Sequence, residues 1–200
     1  MADNVNERWN HNIHYQRRIL DAVPDSARTA LDIGTGNGLL AAELRARGLE
    51  VTAVDPDETV LEAARAEIEG VTWVLGDVMT HPFAPGSFDV VASVATLHHL
   101  PDLDASLARM AELAAPGGVV AAVGLARSSR PSDALYDVIG AVESWRLTRG
   151  RTVWEHSAPT VWPPPHTYSE VRRAAARTLP GARWTRLTMW RYALVWHKPV

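Results

Sequence analysis

Short, mainly apolar runs alternate with longer stretches in which apolar residues recur every three or four positions. The runs at 30–33, 51–54, 71–75, 88–94 and 119–125 are rich in Val, Ala, Leu and Ile, and such runs predict strands buried on both faces. Helical periodicity fills the intervals at 12–22, 39–47, 58–68 and 103–114, the third opened by Pro56 and Asp57. Pro116-Gly117-Gly118 reads as a turn before the fifth strand. Alternation of this kind predicts βαβ units and an α/β fold, a doubly wound sheet that is mostly parallel. Beyond 125 the rhythm changes to a helix at 132–148, an aromatic and proline-rich loop at 154–168, a helix at 169–178 and two strands. There Trp190, Tyr192, Leu194 and Trp196 alternate with period two, which predicts a half-buried antiparallel strand in a C-terminal hairpin.

A chain of 200 residues can bury one substantial core, so a single domain is expected. Its parts would be a helical N-terminal cap (1–28), a ligand-binding core (29–125), an insertion (126–168) and a closing helix and hairpin (169–200). Cysteine is absent, which leaves no disulfide framework and no thiolate metal site. The longest apolar run, near 119–123, is too short to span a bilayer. The formal charge is −3 and the arginines are scattered, so the electrostatic footprint of a nucleic-acid binder is missing. These features set the expectation of a cytoplasmic protein, monomer or homodimer, with neither nucleic acid nor membrane as partner. Eight histidines are present, but no H-E-x-x-H spacing occurs and no metal is expected. Pro163-Pro164-Pro165 reads as a stiff connector.

The most informative stretch is Leu31-Asp32-Ile33-Gly34-Thr35-Gly36-Asn37-Gly38, where an apolar strand runs into three glycines spaced two apart. Such a turn lets backbone approach a ligand, and the helix after it offers N–H groups to anionic atoms. The dinucleotide fingerprint would need a glycine at position 39, where Leu39 stands. The pattern resembles motif I of the class I S-adenosylmethionine-dependent methyltransferases, with a Rossmann-like sheet. Further matches follow in order: Val54-Asp55, Gly76-Asp77-Val78, the segment from Pro82 to Val91, Leu97-His98-His99-Leu100 and Pro116-Gly117-Gly118. This order is similar to that of the small-molecule branch resembling quinone methyltransferases, and the likeness covers roughly residues 9 to 125.

The resemblance implies S-adenosylmethionine as cofactor and assigns roles. Asp32, Gly34, Thr35, Gly36 and Gly38 would form or orient the glycine loop. Asp55 and Pro56 would meet the ribose, Asp77 and Val78 the adenine, and Ser93 would lie on the same edge of the sheet. Tyr15, in the first helix, would lean over the methionine end. Methyl transfer asks mainly that a nucleophile be held in line in a dry pocket. Where a proton must leave, histidine suits the task, and His98 is the candidate base, ahead of His99, His11 and His14. Tryptophan is frequent, with eight in the chain. Trp73, Trp184, Trp190 and Trp196 read as core; Trp9, Trp145, Trp154 and Trp162 fall where the resemblance places the acceptor, which is therefore expected to be small and aromatic or hydrophobic. A nucleic-acid or protein methylase is disfavoured, because Ser93-Val94-Ala95-Thr96 lacks the Asn or Asp followed by Pro-Pro and an aromatic. The alternative is a cofactor-binding protein with a non-methylating, cyclase-like or regulatory role. Asp57 is expected to cap a helix and Asp89 to serve structure.

Overall fold

In the computed structural model, which describes residues 8–100, 102–154, 157 and 161–200, the chain alternates helices and strands as the apolar rhythm predicts. Helix α1 (His11–Leu20) precedes β1 (Thr29–Ile33), α2 (Leu39–Ala46), β2 (Glu50–Asp55), α3 (Glu58–Glu67) and β3 (Thr72–Leu75). Then come β4 (Phe88–Val94), α4 (Leu103–Leu113), β5 (Ala114–Leu125), α5 (Pro131–Thr148), α6 (Tyr168–Thr178), β6 (Arg183–Arg186) and β7 (Arg191–His197). The strands make one seven-stranded sheet in the order β3-β2-β1-β4-β5-β7-β6. Pairs from β3 to β5 are parallel, while β7 runs antiparallel to both β5 and β6. The chain is therefore a Rossmann-like α/β fold with a C-terminal antiparallel hairpin, and the strand order reverses direction between β1 and β4, where such sheets bind ligands.

Successive residues of each central strand feed opposite faces. Leu31, Ile33 and Val91 pack with Leu107, Leu113, Val171 and Ala175 under α4 and α6. Ala30, Val90 and Ala92 pack with Ile19, Leu20, Leu40 and Leu44 under α1 and α2. Full burial of each large aliphatic side chain contributes roughly 1.5–3 kcal/mol. Local chemistry fixes the helix starts. Asn10 accepts the amides of Asn12 and Ile13 at 2.9 Å each. Asp57 accepts those of Thr59 at 2.9 Å and Val60 at 3.4 Å. Asp89 accepts the amides of Arg28 (2.7 Å) and Thr29 (3.0 Å), so its role is structural and ties the start of β1 to β4. Among the described residues no helix is long and apolar enough to cross a membrane.

Two expectations are corrected. The Pro-Gly-Gly segment is not a turn before β5 but part of it; the register slips there, with Phe88 opposite Ala114 and Val90 opposite Val119. Strand β7 is not half-buried, because β6 takes the sheet edge and both faces of β7 are covered. Arg191, Ala193 and Val195 are buried along with Tyr192, Leu194 and Trp196. Trp190 lies in the turn before it, at φ 59°.

Gly124 faces Tyr192 across the β5–β7 pair, and a Cβ added there would fall 2.3 Å from the tyrosine hydroxyl and 2.4 Å from Cζ. The Tyr192 ring is fully buried and has nowhere to go. Gly124→Ala is expected to lose about 1–3 kcal/mol of stability in urea unfolding, with an unchanged dependence on denaturant.

Candidate functional site

The chain leaves β1 in a turn whose amides are claimed by β2. Gly34 and Thr35 both donate to the Val54 carbonyl, at 2.8 and 3.2 Å. The Asp55 carboxylate accepts the Gly36 amide at 2.9 Å on one oxygen and the Asp57 amide at 3.0 Å on the other. Gly34 must be glycine for two reasons: its φ is 64°, and a Cβ would meet the Thr96 side chain at 2.3 Å. Thr96 fills that space and donates to the Gly34 carbonyl at 3.3 Å, bringing the chain after β4 against the turn. Gly38 begins α2 with left-handed φ and no side-chain cap, so the helix start is left open.

A cavity of about 500 Å³ lies over these strand ends. Asp32, Gly34, Thr35, Gly36, Asp55 and Pro56 line one part of it, and Gly76, Asp77 and Val78 extend that part beyond β3. Asp32 is almost wholly buried and accepts the Thr35 hydroxyl at 2.6 Å. Loss of water, with the nearby negative charge of Asp55, raises its carboxyl to about 7. Asp77 accepts the Met79 amide at 2.9 Å. Across from them stand Leu125, His98 and His99, with Arg191 from β7 and Trp154, Val161 and Trp162 from the segment after α5. His98 follows β4 in a single 3-10 turn, Leu97–His99, and its buried Nδ1 has no hydrogen-bond partner. Burial, then the positive potential of His99, Arg191 and His166, lowers it to about 4, so it is neutral at pH 7.

Three expected residues do not reach the cavity wall. Tyr15 is turned into the core, where its hydroxyl meets Thr188 Oγ1 at 2.6 Å; the face of α1 that looks into the cavity carries Asn12, Ile13 and Gln16 instead. Gly38 serves packing, since a Cβ there would lie 2.6 Å from Trp73 and 2.9 Å from Ile68. Ser93 is buried behind the end of β4, and Ala95 and Thr96 line the cavity in its place. His11 bonds Ser144 at 2.9 Å, and His14 packs edge-on against Trp9 and Tyr15. Of the four tryptophans expected near an acceptor, Trp154 and Trp162 line the cavity, Trp9 does not, and Trp145 is 61% exposed on α5. The Trp154 amide donates to the Trp9 carbonyl at 2.8 Å and Ser157 bonds Asn37, so this segment is strapped to the N-terminal chain and to the glycine turn.

Arg191 is the residue that sequence reasoning missed. The signal was a lone charge at the start of an otherwise apolar strand, but its cavity position depends on Asn12, distant in the chain. Among the described residues no cluster of three or more His, Cys, Asp or Glu could hold a metal ion.

A family profile described as a methyltransferase domain matches residues 31–122. An uncharacterized methyltransferase of Mycobacterium tuberculosis is 38% identical over 198 residues, covering 98% of this chain and all of that protein. A ubiquinone biosynthesis O-methyltransferase of Pseudomonas paraeruginosa is 35% identical over 121 residues, 58% of this chain and 51% of its own length. Among solved structures, phosphoethanolamine N-methyltransferase 2 of Haemonchus contortus, in complex with phosphomonomethylethanolamine and S-adenosylhomocysteine, superposes with a TM-score of 0.67. Identity there is 17%, and the match covers 96% of this chain and 53% of that one.

Asp32 and His98 give opposite pH dependences. A carboxyl raised from 3.8 to about 7 binds a proton in the folded state that the unfolded chain has lost, so stability falls as pH rises through that window. A histidine lowered from 6.5 to about 4 does the reverse, and stability rises across that window. Urea unfolding from pH 4 to 7 is expected to show Asp32→Asn gaining stability relative to wild type as pH rises and His98→Gln losing its rising component, each by at most roughly 1.4 kcal/mol per pH unit.

Proposed function

The chain belongs to the S-adenosylmethionine-dependent methyltransferases, and from that premise we propose that it methylates an oxygen, nitrogen or carbon of a small aromatic or hydrophobic metabolite. The observation that carries this reading is the division of the cavity. Its β1–β3 end offers carboxylates and bare main chain, and its far end offers Trp154, Trp162, Leu125 and Val161 around His98, His99 and a single arginine, Arg191. The likeness to a ubiquinone biosynthesis O-methyltransferase supports an aromatic acceptor.

The residues at the first end fit the cofactor. Asp32, Asp55 and Asp77 accept only N–H and O–H groups, and no described Lys or Arg pairs with them. Such carboxylates suit hydroxyls, amines and positive charge. Asp55 would take ribose hydroxyls, since each of its oxygens holds one amide and keeps a lone pair. Asp77 and Val78 would hold the adenine, and Asp32 with Gly34, Thr35 and Gly36 the amino-acid end. When bound, S-adenosylmethionine supplies an electrophilic sulfonium methyl. Trp154 and Trp162 would seat the acceptor ring and exclude water. His98, neutral at pH 7 and on the cavity wall, would accept the hydrogen bond or proton of a hydroxyl nucleophile.

Deuteromethyl-labelled S-adenosylmethionine, incubated with a panel of phenols, quinols and arylamines, is expected to yield products heavier by one labelled methyl in mass spectrometry; labelling confined to strongly polar, non-aromatic acceptors would contradict the reading. With such a substrate, His98→Gln is expected to lower kcat on the order of 100-fold while S-adenosylhomocysteine affinity stays within about two-fold. Asp55→Ala is expected to weaken that affinity roughly 10- to 100-fold by calorimetry, the worth of hydrogen bonds to a charged group.

A further inference from the structure

The most deeply buried cation described in the molecule faces this cavity without a carboxylate partner. Arg191 is 8% exposed and lines the wall. Its Nε and Nη2 donate to the Asn12 side-chain carbonyl at 3.1 and 2.8 Å, and its Nη1 donates to the Met189 carbonyl at 2.9 Å. Both acceptors are neutral. Other sheltered arginines are paired: Arg8 with Glu67 at 2.7 Å, Arg109 with Glu112 at 2.7 Å and Arg186 with Asp137 at 3.4 Å. Burial lowers Arg191 to about 10, which leaves it charged at neutral pH, and no described carboxylate acts on it. An unpaired buried charge is costly and is normally tolerated only where something else completes it.

Geometry says what completes it. The guanidinium has five N–H donors, three of them used, so one remains on each terminal nitrogen with no described protein acceptor. A planar fork of this kind matches a carboxylate. Position separates Arg191 from the cofactor end. In the sheet order, β4 and β5 lie between β1, which carries Asp32, and β7, which carries Arg191, an offset of three strand steps or roughly 14 Å. On the same side stand His98, Leu125 and Trp162.

We propose that Arg191 is the anion-binding residue of the acceptor pocket and that the acceptor is an aromatic molecule bearing a carboxylate. This rests on the reading above, in which the cofactor occupies the β1–β3 end and the acceptor the other. The carboxylate completes the Arg191 fork, the ring lies among the tryptophans, and the fixed end orients the nucleophile relative to the cofactor. Asn12 is the positioning residue, since it holds two of the guanidinium N–H groups in place.

The test is calorimetric titration of 2-hydroxybenzoate and 1-hydroxy-2-naphthoate, and of their carboxamides, into the S-adenosylhomocysteine complex of wild type, Arg191→Gln and Arg191→Lys. The acids are expected to bind wild type at least ten-fold more tightly than the amides. Arg191→Gln should erase that ratio and Arg191→Lys should keep part of it, with S-adenosylhomocysteine affinity within about two-fold throughout. Acids that bind wild type no better than amides overturn the proposal even where a variant fails to fold, and so does a ratio that survives in Arg191→Gln. A ten-fold loss of S-adenosylhomocysteine affinity in Arg191→Gln also overturns it, by assigning the arginine to the cofactor's own carboxylate. Wild type that fails to bind S-adenosylhomocysteine overturns the cofactor reading beneath it.

Discussion

The ligand edge of this molecule depends on how the ends of two parallel strands satisfy each other's backbone. Where β1 stops, the amides of Gly34, Thr35 and Gly36 have no strand to pair with, and buried N–H groups must find acceptors. β2 supplies them: the Val54 carbonyl takes two and the Asp55 carboxylate takes the third, while also holding Asp57 at the start of α3. One carboxylate thus fixes a turn, a strand end and a helix entry. Thr96, packed where Gly34 has no side chain, links the same turn to β4. The floor of the cavity is consequently set by main-chain geometry rather than by long, flexible side chains.

On that floor the charges are segregated. Asp32, Asp55 and Asp77 gather at the β1–β3 end, and Arg191 stands at the β7 end with neutral His98 beside the same wall. A cavity negative at one end and positive at the other suits a cationic methyl donor and an anionic acceptor, held apart by the sheet and brought toward one another as water is excluded.

The fold was legible because period and punctuation agreed: apolar runs marked strands, and glycines and helix caps marked their ends. Asp55 and the glycine turn could be placed because their partners lie one βαβ unit apart. Legibility failed where partners are far apart in the chain. Tyr15 and Gln16 are neighbours in sequence, but the packing of α1 against Thr188 sends one into the core and leaves the other facing the cavity. Gly38 looked like a ligand-facing glycine until Trp73 and Ile68 filled the space before it. Trp145 could not be told from Trp154 by type alone, and only the strapping of Trp154 to Trp9 brings it inward. Arg191 needed both Asn12 and the interior position of β7, which period-two alternation misread as half-buried.

The most direct test of the account is the number of protons exchanged when S-adenosylmethionine binds, measured by calorimetry in buffers of different ionisation enthalpy. Asp32 without ligand titrates at about 7, and a cation bound beside it should lower that value. The account predicts proton release that is largest between about pH 6 and 7, fades above pH 8 and is absent in Asp32→Asn, with affinity rising through the same window. Binding with no proton release at any pH, or with the same release in Asp32→Asn, would contradict it.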